Sequence, residues 1–413
     1  MDRLIFHVDV NSAYLSWEAA RRVARGEPDI RLIPAVIGGD REKRTGVVLA
    51  KSIPAKKFGI KTGEPIGMAL RKCPDLYLAK PDFSLYEGCS KAFMDICRKY
   101  APVVEKYSID ECFLDMTGTG RLYPDPVAIA NTIREEIRDT LGFTVNVGIG
   151  DCKILAKMAS DFEKPDKVHT LFHHEIERKM WPLPVGELFS VGSATAQKLE
   201  RARIHTIGDL ARMDVLRLQQ IIGVKLSQQL HHYANGIDPS PVLKEAEEAK
   251  GYSISTTLEE DVVTAQQAHA VLLALTDSVT ARLRADNVKA GCVAVSIRSN
   301  DFKTRSHQLT LPEPTDISKE VYQLSKELFA QLWDGYTPLR LLGVSLTAIT
   351  HGEVSQMTLF PDQQKERSRK LDKAYDAINA KYGAATIVRG TNIRTGLDVG
   401  KKYRAQMEQK KEK

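Results

Sequence analysis

No run of this sequence is apolar for long enough to cross a bilayer. The opening residues, MDRLIFHVDV, lack the basic start, long apolar core and small-residue cleavage site of a secretory leader. The expectation is a cytoplasmic protein with no membrane partner. Six cysteines are present, but none forms a CxxC pair and no histidine cluster stands at zinc-ligand spacing. A structural zinc module therefore has no ligand set. Cys73, Cys89, Cys97, Cys112, Cys152 and Cys292 are expected as reduced thiols, with Cys89 and Cys97 on the apolar stripe of a helix.

What is present is an ordinary globular composition over 413 residues, long enough for two to four domains. The net charge of +6 is modest, and basic residues crowd the extreme end of the chain. That placement suits a phosphate-rich partner. Residues 4–9 read as a strand ending at Asp9, followed by a helix from Ser12 to Arg25. Residues 30–78 mix short strands with Gly and Pro turns. After Pro81 a helix carries Leu85, Cys89, Phe93 and Ile96 on one face, and VVEKY and ECFLDM flank Ser108-Ile109-Asp110 as a hairpin. A helix with Val127, Ala130, Ile133, Ile137 and Leu141, the strand TVNVGI and a helix over Asp151–Asp161 complete an α+β pattern.

Residues 174–236 read as all-helical, with a Gly before each of two helical segments, and 244–250 as a charged linker. Residues 251–349 follow the order strand, helix, strand, strand, helix, strand of a ferredoxin-like unit. The expected strands lie near 291–298, 305–311 and 340–349. The two helices place Leu272, Leu275, Val279 and Leu283, then Ile317, Val321, Leu324, Leu328 and Leu332, in register. The tail, 350–413, is polar, with a helix expected near 366–382.

The chemistry points to three acids. Asp9 ends a buried strand, and Asp110 and Glu111 sit together at a hairpin. Adjacent strand residues face opposite ways, so both reach one site only where the turn breaks the alternation. Carboxylates converging on a sheet edge repel one another and lose hydration. Divalent ions relieve both problems, and carboxylate oxygens suit Mg²⁺. Any one of these acids alone reads as a solvated turn residue; the strand-end Asp with the SIDE hairpin reads as a site.

DVNSAY at 9–14, YSIDECFLD at 107–115 and GIGDCKILAKMASDFEKP at 148–165 resemble the Y-family DNA polymerases, most of all the bacterial DNA polymerase IV branch. The likeness runs in order from about residue 3 to 349. It implies a right-hand polymerase of α+β multidomain fold. Its parts would be a ferredoxin-like palm (1–29 and 79–173), small fingers (30–78), a helical thumb with helix-hairpin-helix elements (174–243) and a ferredoxin-like little finger (251–349). It implies primer-template DNA and dNTPs as substrates and two Mg²⁺ ions at Asp9, Asp110 and Glu111, with the Val10 carbonyl completing one site. Tyr14 aligns with the family's steric gate against a 2′-hydroxyl, and Lys157 with its triphosphate lysine. A low-fidelity, lesion-bypassing monomer is implied, and no segment is left over for a proofreading exonuclease.

Lys153 shares a helical face with Lys157 and is a second triphosphate candidate. Where the family shows a pattern like SYEAR, this chain has SIPAK, so Ile53 offers no hydroxyl and Lys56 lacks the planar fork of Arg. Gly192 and Gly223 fit helix-hairpin-helix turns that aim backbone N–H groups at a DNA phosphate, the first reading Ser190-Val191-Gly192 where the family has G-V-G. Arg298, Lys303 and Arg305 are the DNA candidates of the little finger. Gln356, Met357, Leu359 and Phe360 lie in QMTLF, which resembles the peptide that binds the replicative sliding clamp. Two rival classes remain. A non-enzymatic adaptor would lack the acids, and all three are present. A helix-hairpin-helix repair protein such as a glycosylase would need an acid in the helical region, where none suits.

Overall fold

The computed structural model describes residues 3–39, 46–245, 247–351, 363–383 and 386–387. The chain divides into two compact units, the first holding Met1–Gly39 and Val47–Ala246, the second beginning at Glu247.

In the first unit, strand β1 (Ile5–Val10) is buried throughout and leads into α1 (Ala13–Ala24). A small sheet follows: β2 (Ala35–Gly38), β3 (Val48–Lys51), the short helices α2 (Ile53–Lys57) and α3 (Ile66–Lys72), and β4 (Tyr77–Ala79), in the order β3-β2-β4. Helix α4 (Phe83–Tyr100) starts where Asp82 accepts from the Leu85 amide, an N-cap that satisfies a donor the helix leaves open. Its buried face is Tyr86, Phe93 and Cys97, each with no exposure. Of the expected stripe, Phe93 and Ile96 are buried, while Leu85 and Cys89 are half-buried at the edge of the core.

The chain then forms the hairpin β5 (Val103–Lys106) and β6 (Glu111–Asp115) and helix α5 (Pro126–Leu141). Asp125 caps α5, Pro126 occupies its first turn and Gly142 closes it at φ 74. β7 (Val145–Gly150), α6 (Lys153–Ser160) and β8 (Val168–Leu171) finish a five-stranded sheet in the order β5-β6-β1-β7-β8. β1 lies at its centre, antiparallel to both neighbours. Gly148 sets the distance from sheet to α6: a Cβ there would lie 1.9 Å from the Ala156 carbonyl oxygen and 2.4 Å from the Ser160 nitrogen. No side chain fits, so α6 packs directly on β7.

Residues 174–236 are helical, as expected: α7 (Ile176–Lys179), α8 (Ser193–Arg201), α9 (Ile207–Arg212), α10 (Val215–Ile222) and α11 (Val224–Ala234). Their core, with Leu199, Leu210, Leu218 and Leu230, is continuous with Ile154, Leu155 and Met158 of α6 and Leu171 of β8.

The second unit is β9 (Gly251–Val262), α12 (Ala265–Ala285), β10 (Val288–Ser299), β11 (Thr304–Thr315), α13 (Ser318–Leu332), β12 (Leu339–His351) and α14 (Gln363–Tyr382). The element order to β12 is the expected one, and the strands run longer than the sequence suggested. The sheet order is β11-β10-β12-β9, all antiparallel. Leu272, Leu275, Val279 and Leu283 are fully buried against it. Helix α14 docks through charge: Arg284 meets both oxygens of Asp376 at 2.6 and 3.0 Å and Asp372 at 3.5 Å, while the Ser318 amide donates to Asp372 at 2.9 Å. The cysteines are free thiols, all buried except the half-buried Cys89.

Candidate active site

β1 pairs Asp9 with Glu111 of β6, and the Val10 amide donates to the Asp110 carbonyl at 3.0 Å. A turn interrupts the strand just before Glu111. The amides of Tyr107 and Ser108 both donate to the Glu111 carbonyl at 3.1 Å, which folds residues 108–110 into a tight turn ahead of the strand. The Asp110 carboxylate accepts from Ser108 Oγ at 2.6 Å.

Each of the two facing acids carries a lysine. Lys164 Nζ donates to Asp9 Oδ2 and lies 2.8 Å from Asp161 Oδ1. Burial works against the Lys164 charge, but Asp9 and Asp161 outweigh it and raise its pKa. Lys157 Nζ, only 7% exposed as a residue, donates to Glu111 Oε1 at 2.9 Å and lies over the rings of Tyr107 and Phe189. Desolvation pushes the Asp9 carboxyl up to about 6, against the pull of Lys164. Its surroundings therefore compensate this carboxylate incompletely.

Those observations bear on a metal. The donors are hard carboxylate oxygens, Asp9 is short of compensating charge, and two ammonium groups already stand on the acids as cations would. The residues fit a divalent ion by chemistry and by charge. As arranged around their lysines, no three His, Cys, Asp or Glu among the described residues form a ready cluster.

Three buried polar residues with no obvious role in the sequence hold this site together. Asn146 lies in the apolar strand VNVGI. It donates to the Ser160 and Glu163 carbonyls at 3.0 and 2.7 Å, and it accepts from Asn11 Nδ2 and the Lys167 amide. It thus ties β7 to the loop that carries Lys164. Ser160 Oγ lies 2.8 Å from His7 Nδ1 and 2.8 Å from the Lys157 carbonyl. His7, with no exposure, lies 3.9 Å from Glu111 Oε2. Burial first, then Lys157, Lys164 and Lys153, hold its pKa well below the ordinary value. The ring is neutral, so that contact is not an ion pair. The signals were a His in LIFHV and an Asn in VNVGI, polar residues inside runs that are otherwise apolar.

Tyr14, in the first turn of α1, stacks on Tyr86 at 4.7 Å with edge contacts to Phe83 and Trp17. Burial and then the Asp110 charge raise its pKa. Lys153 is brought elsewhere: its Nζ sits between both oxygens of Glu105 at 2.7 and 2.8 Å, over the Phe113 ring, and Glu105 also accepts from the Leu243 amide. It fastens the chain leaving the helical region. Ile53 and Lys56 lie exposed on α2.

Gly192 and Gly223 differ. Both would offer a Cβ open space, but only Gly223 needs glycine, at φ 86 between α10 and α11. In the second unit Arg298 pairs with Thr304 and Arg305 with the buried Ile297. Paired residues share a face, so Arg298 joins the open face beside Ser296, Ser306 and Ser345, and Arg305 lies on the helix side. Lys303 sits at the hairpin turn, 2.8 Å from Asp301. Gln356, Met357, Leu359 and Phe360 fall outside the described residues.

The architecture matches a solved Y-family DNA polymerase chimera with a TM-score of 0.74, over 84% of this chain and all of that one, at 23% identity. The fold is that of a right-hand Y-family polymerase, α+β with ferredoxin-like palm and little finger, small fingers and a helical thumb. Residues 8–161 match the impB/mucB/samB family, 249–359 its C-terminal domain, and 186–238 the DNA polymerase-iota thumb domain. The chain is 44% identical to DNA polymerase IV of Clostridium acetobutylicum over 94% of its length and 98% of that protein's. It is 34% identical to DNA polymerase IV 1 of Bacillus subtilis, over 95% and 94%. The chain belongs to the impB/mucB/samB family of Y-family polymerases, in the company of the DNA polymerase IV proteins. Membership makes it a DNA-directed DNA polymerase of the translesion class, with DNA as substrate and the general divalent-metal dependence of such enzymes. No described helix is long and apolar enough to cross a membrane.

Proposed function

We propose that Asp9, Asp110, Glu111 and the Val10 carbonyl hold two Mg²⁺ ions, and that around them the chain adds dNTPs to a primer 3′ end across damaged template. The observation that carries this placement is Asp9 facing Glu111 on adjacent strands, each with an ammonium group upon it. When bound, the ions supply Lewis-acid activation of the primer hydroxyl and charge neutralisation at the leaving pyrophosphate. The protein's own groups do the positioning. Lys164 and Lys157 already stand on Asp9 and Glu111, within reach of a phosphate brought to those acids, and each is a point charge able to shift from carboxylate to phosphate oxygen. Lys56 contributes from the fingers. Tyr14, backed by Tyr86, forms a wall that leaves no room for a 2′-hydroxyl.

In this reading residues 1–29 and 79–173 are the palm, 30–78 the fingers, 174–243 the thumb, 244–250 a linker and 251–349 the little finger. Gly192 and Gly223 present backbone amides, and Arg298 and Lys303 side chains, to DNA phosphates. Gln356, Met357, Leu359 and Phe360 tether a cytoplasmic monomer to the sliding clamp, which raises its effective concentration at the primer.

Primer extension on an undamaged primed template, with Mg²⁺ and dNTPs, tests the core of the proposal. Wild type extends, and Asp110→Ala and Glu111→Ala do not. Full extension by either folded variant overturns the assignment.

A further inference from the structure

His7 lies two residues before Asp9 on β1, so the pleat points both side chains to the same face. Its ring is fully buried and packs at 4.6 Å against Phe113. Nδ1 has a partner in Ser160 Oγ at 2.8 Å, whereas Nε2 is buried without a hydrogen bond and looks at Glu111 Oε2 from 3.9 Å. Lys157 holds the other oxygen of the same carboxylate.

A neutral imidazole carries one proton, on one nitrogen or the other. With the proton on Nδ1, the ring donates to Ser160, the hydroxyl donates to the Lys157 carbonyl, and a bare Nε2 lone pair is left facing a carboxylate in a dry interior. That juxtaposition of two electron-rich groups is repulsive. With the proton on Nε2, the ring donates toward Glu111 Oε2, and the Ser160 hydroxyl rotates to donate to Nδ1. The only loss is one neutral bond to the Lys157 carbonyl, whereas a bond to a carboxylate is the stronger kind. We infer that His7 is a positioning residue for the polymerase reaction: its Nε2–H is turned to Glu111 Oε2, 3.9 Å away, as the nearest donor on that side of the carboxylate, with Ser160 fixing the tautomer from behind. Glu111 then has a donor on each side, Lys157 bonded to one oxygen and the His7 N–H turned to the other. When Lys157 leaves for phosphate, His7 still sets the carboxylate's orientation toward its ion. The inference rests on the reading of Glu111 as a metal ligand. Outer partners of this kind typically change metal affinity by about 10–100-fold when removed.

Two measurements test it on the full-length protein. The first is the ¹⁵N chemical-shift pattern of the His7 ring in protein labelled at histidine, assigned by comparison with His7→Gln. The expected pattern is the Nε2–H tautomer, and an Nδ1–H tautomer overturns the inference whatever the catalytic results. The second is Mn²⁺ binding followed by electron paramagnetic resonance, alongside the Mg²⁺ concentration that half-activates primer extension. His7→Gln places an amide N–H near the Nε2 position and keeps metal affinity within about threefold of wild type, whereas His7→Asn, which reaches only the Nδ1 position, and His7→Phe weaken it by about tenfold or more. Equal affinities across the three overturn the positioning role. Glu111→Gln separates the two readings. If it leaves Mn²⁺ binding intact, the metal-ligand reading of Glu111 fails, while the tautomer result still decides whether His7 bonds to that side chain.

Discussion

Two buried clusters of opposed charge among the described residues, one around Arg284 and one around Asp9, are finished differently. At Arg284 the guanidinium makes a fork to Asp376 and adds bonds to the Asp316 carbonyl at 2.8 Å and Ser318 Oγ at 3.1 Å. Burial opposes its charge, yet Asp376, Asp372 and Asp316 outweigh that and raise its pKa. At Asp9 desolvation wins over Lys164, and His7 Nε2 nearby has no partner. The first cluster is held by a rigid, planar fork, as suits a joint that holds α14 in place. The second is held by flexible lysines and left short of compensation, as suits a site meant to receive something else. A buried ion pair is therefore no indication of purpose until its satisfaction is examined.

Breaking each cluster should give opposite signs. The largest effect falls on chemistry: Asp110→Ala or Glu111→Ala lowers primer extension by about 10³-fold or more, read in single-turnover assays. Next is stability of the second unit. Arg284→Ala removes the fork on Asp376 and the cation beside Asp372 and costs about 3–5 kcal/mol, visible as a lowered unfolding midpoint with loss of α14 amide protection. An unchanged midpoint would mean that α14 is not held by this joint.

The Asp9 cluster should behave the other way in metal-free buffer. Its carboxyl titrates near 6 when folded against an ordinary 3.8. The folded state therefore keeps a proton that the unfolded state gives up, and stability falls as pH rises from about 3.8 to about 6. Asp9→Asn flattens that dependence and stabilises the metal-free protein at neutral pH by on the order of 2 kcal/mol. Denaturant melts across that range check it, and a wild type whose stability rises over the same interval would refute it. A smaller effect concerns selection: Tyr14→Ala admits ribonucleotides about 10-fold or more better, with dNTP addition much less affected. Parallel dNTP and rNTP kinetics would show this. The smallest separates two arginines one strand apart. Arg298→Ala reduces the salt dependence of DNA binding by about one ion, and Arg305→Ala leaves it unchanged. Equal slopes for the two variants would undo the assignment of faces.

How far the sequence anticipates this varies with how local the determinant is. The carboxylates lie within short contiguous segments, and the ferredoxin-like order of the second unit follows from periodicity alone. On α4 the sequence places Phe93, Ile96 and Cys97 on the buried stripe correctly, but Leu85 and Cys89 look as apolar as Tyr86, and only packing sets them at the core's edge. Arg298 and Arg305 read as one basic patch, since the count across the hairpin depends on pairing that the sequence does not state. The spacing puts Lys153 on one face with Lys157 but does not reveal that its Nζ meets Glu105, a partner distant in sequence. Lys164, Asn146 and His7 were invisible as a set because their meeting is tertiary.

Gly148 carries a consequence for motion. Helix and strand there touch backbone to backbone, with no side chain between them to bend or re-rotamerise. Such a contact has no slack, so α6 and β7 travel as one stiff plate, and Lys157 and Ser160 keep their height above the sheet whatever else shifts. Any give in the site then belongs to the segment beyond Ser160, where Lys164 hangs from a loop pinned by Asn146 at the Glu163 carbonyl, by Asn11 at the Asp166 amide and by Arg134 at the Asp166 carboxylate.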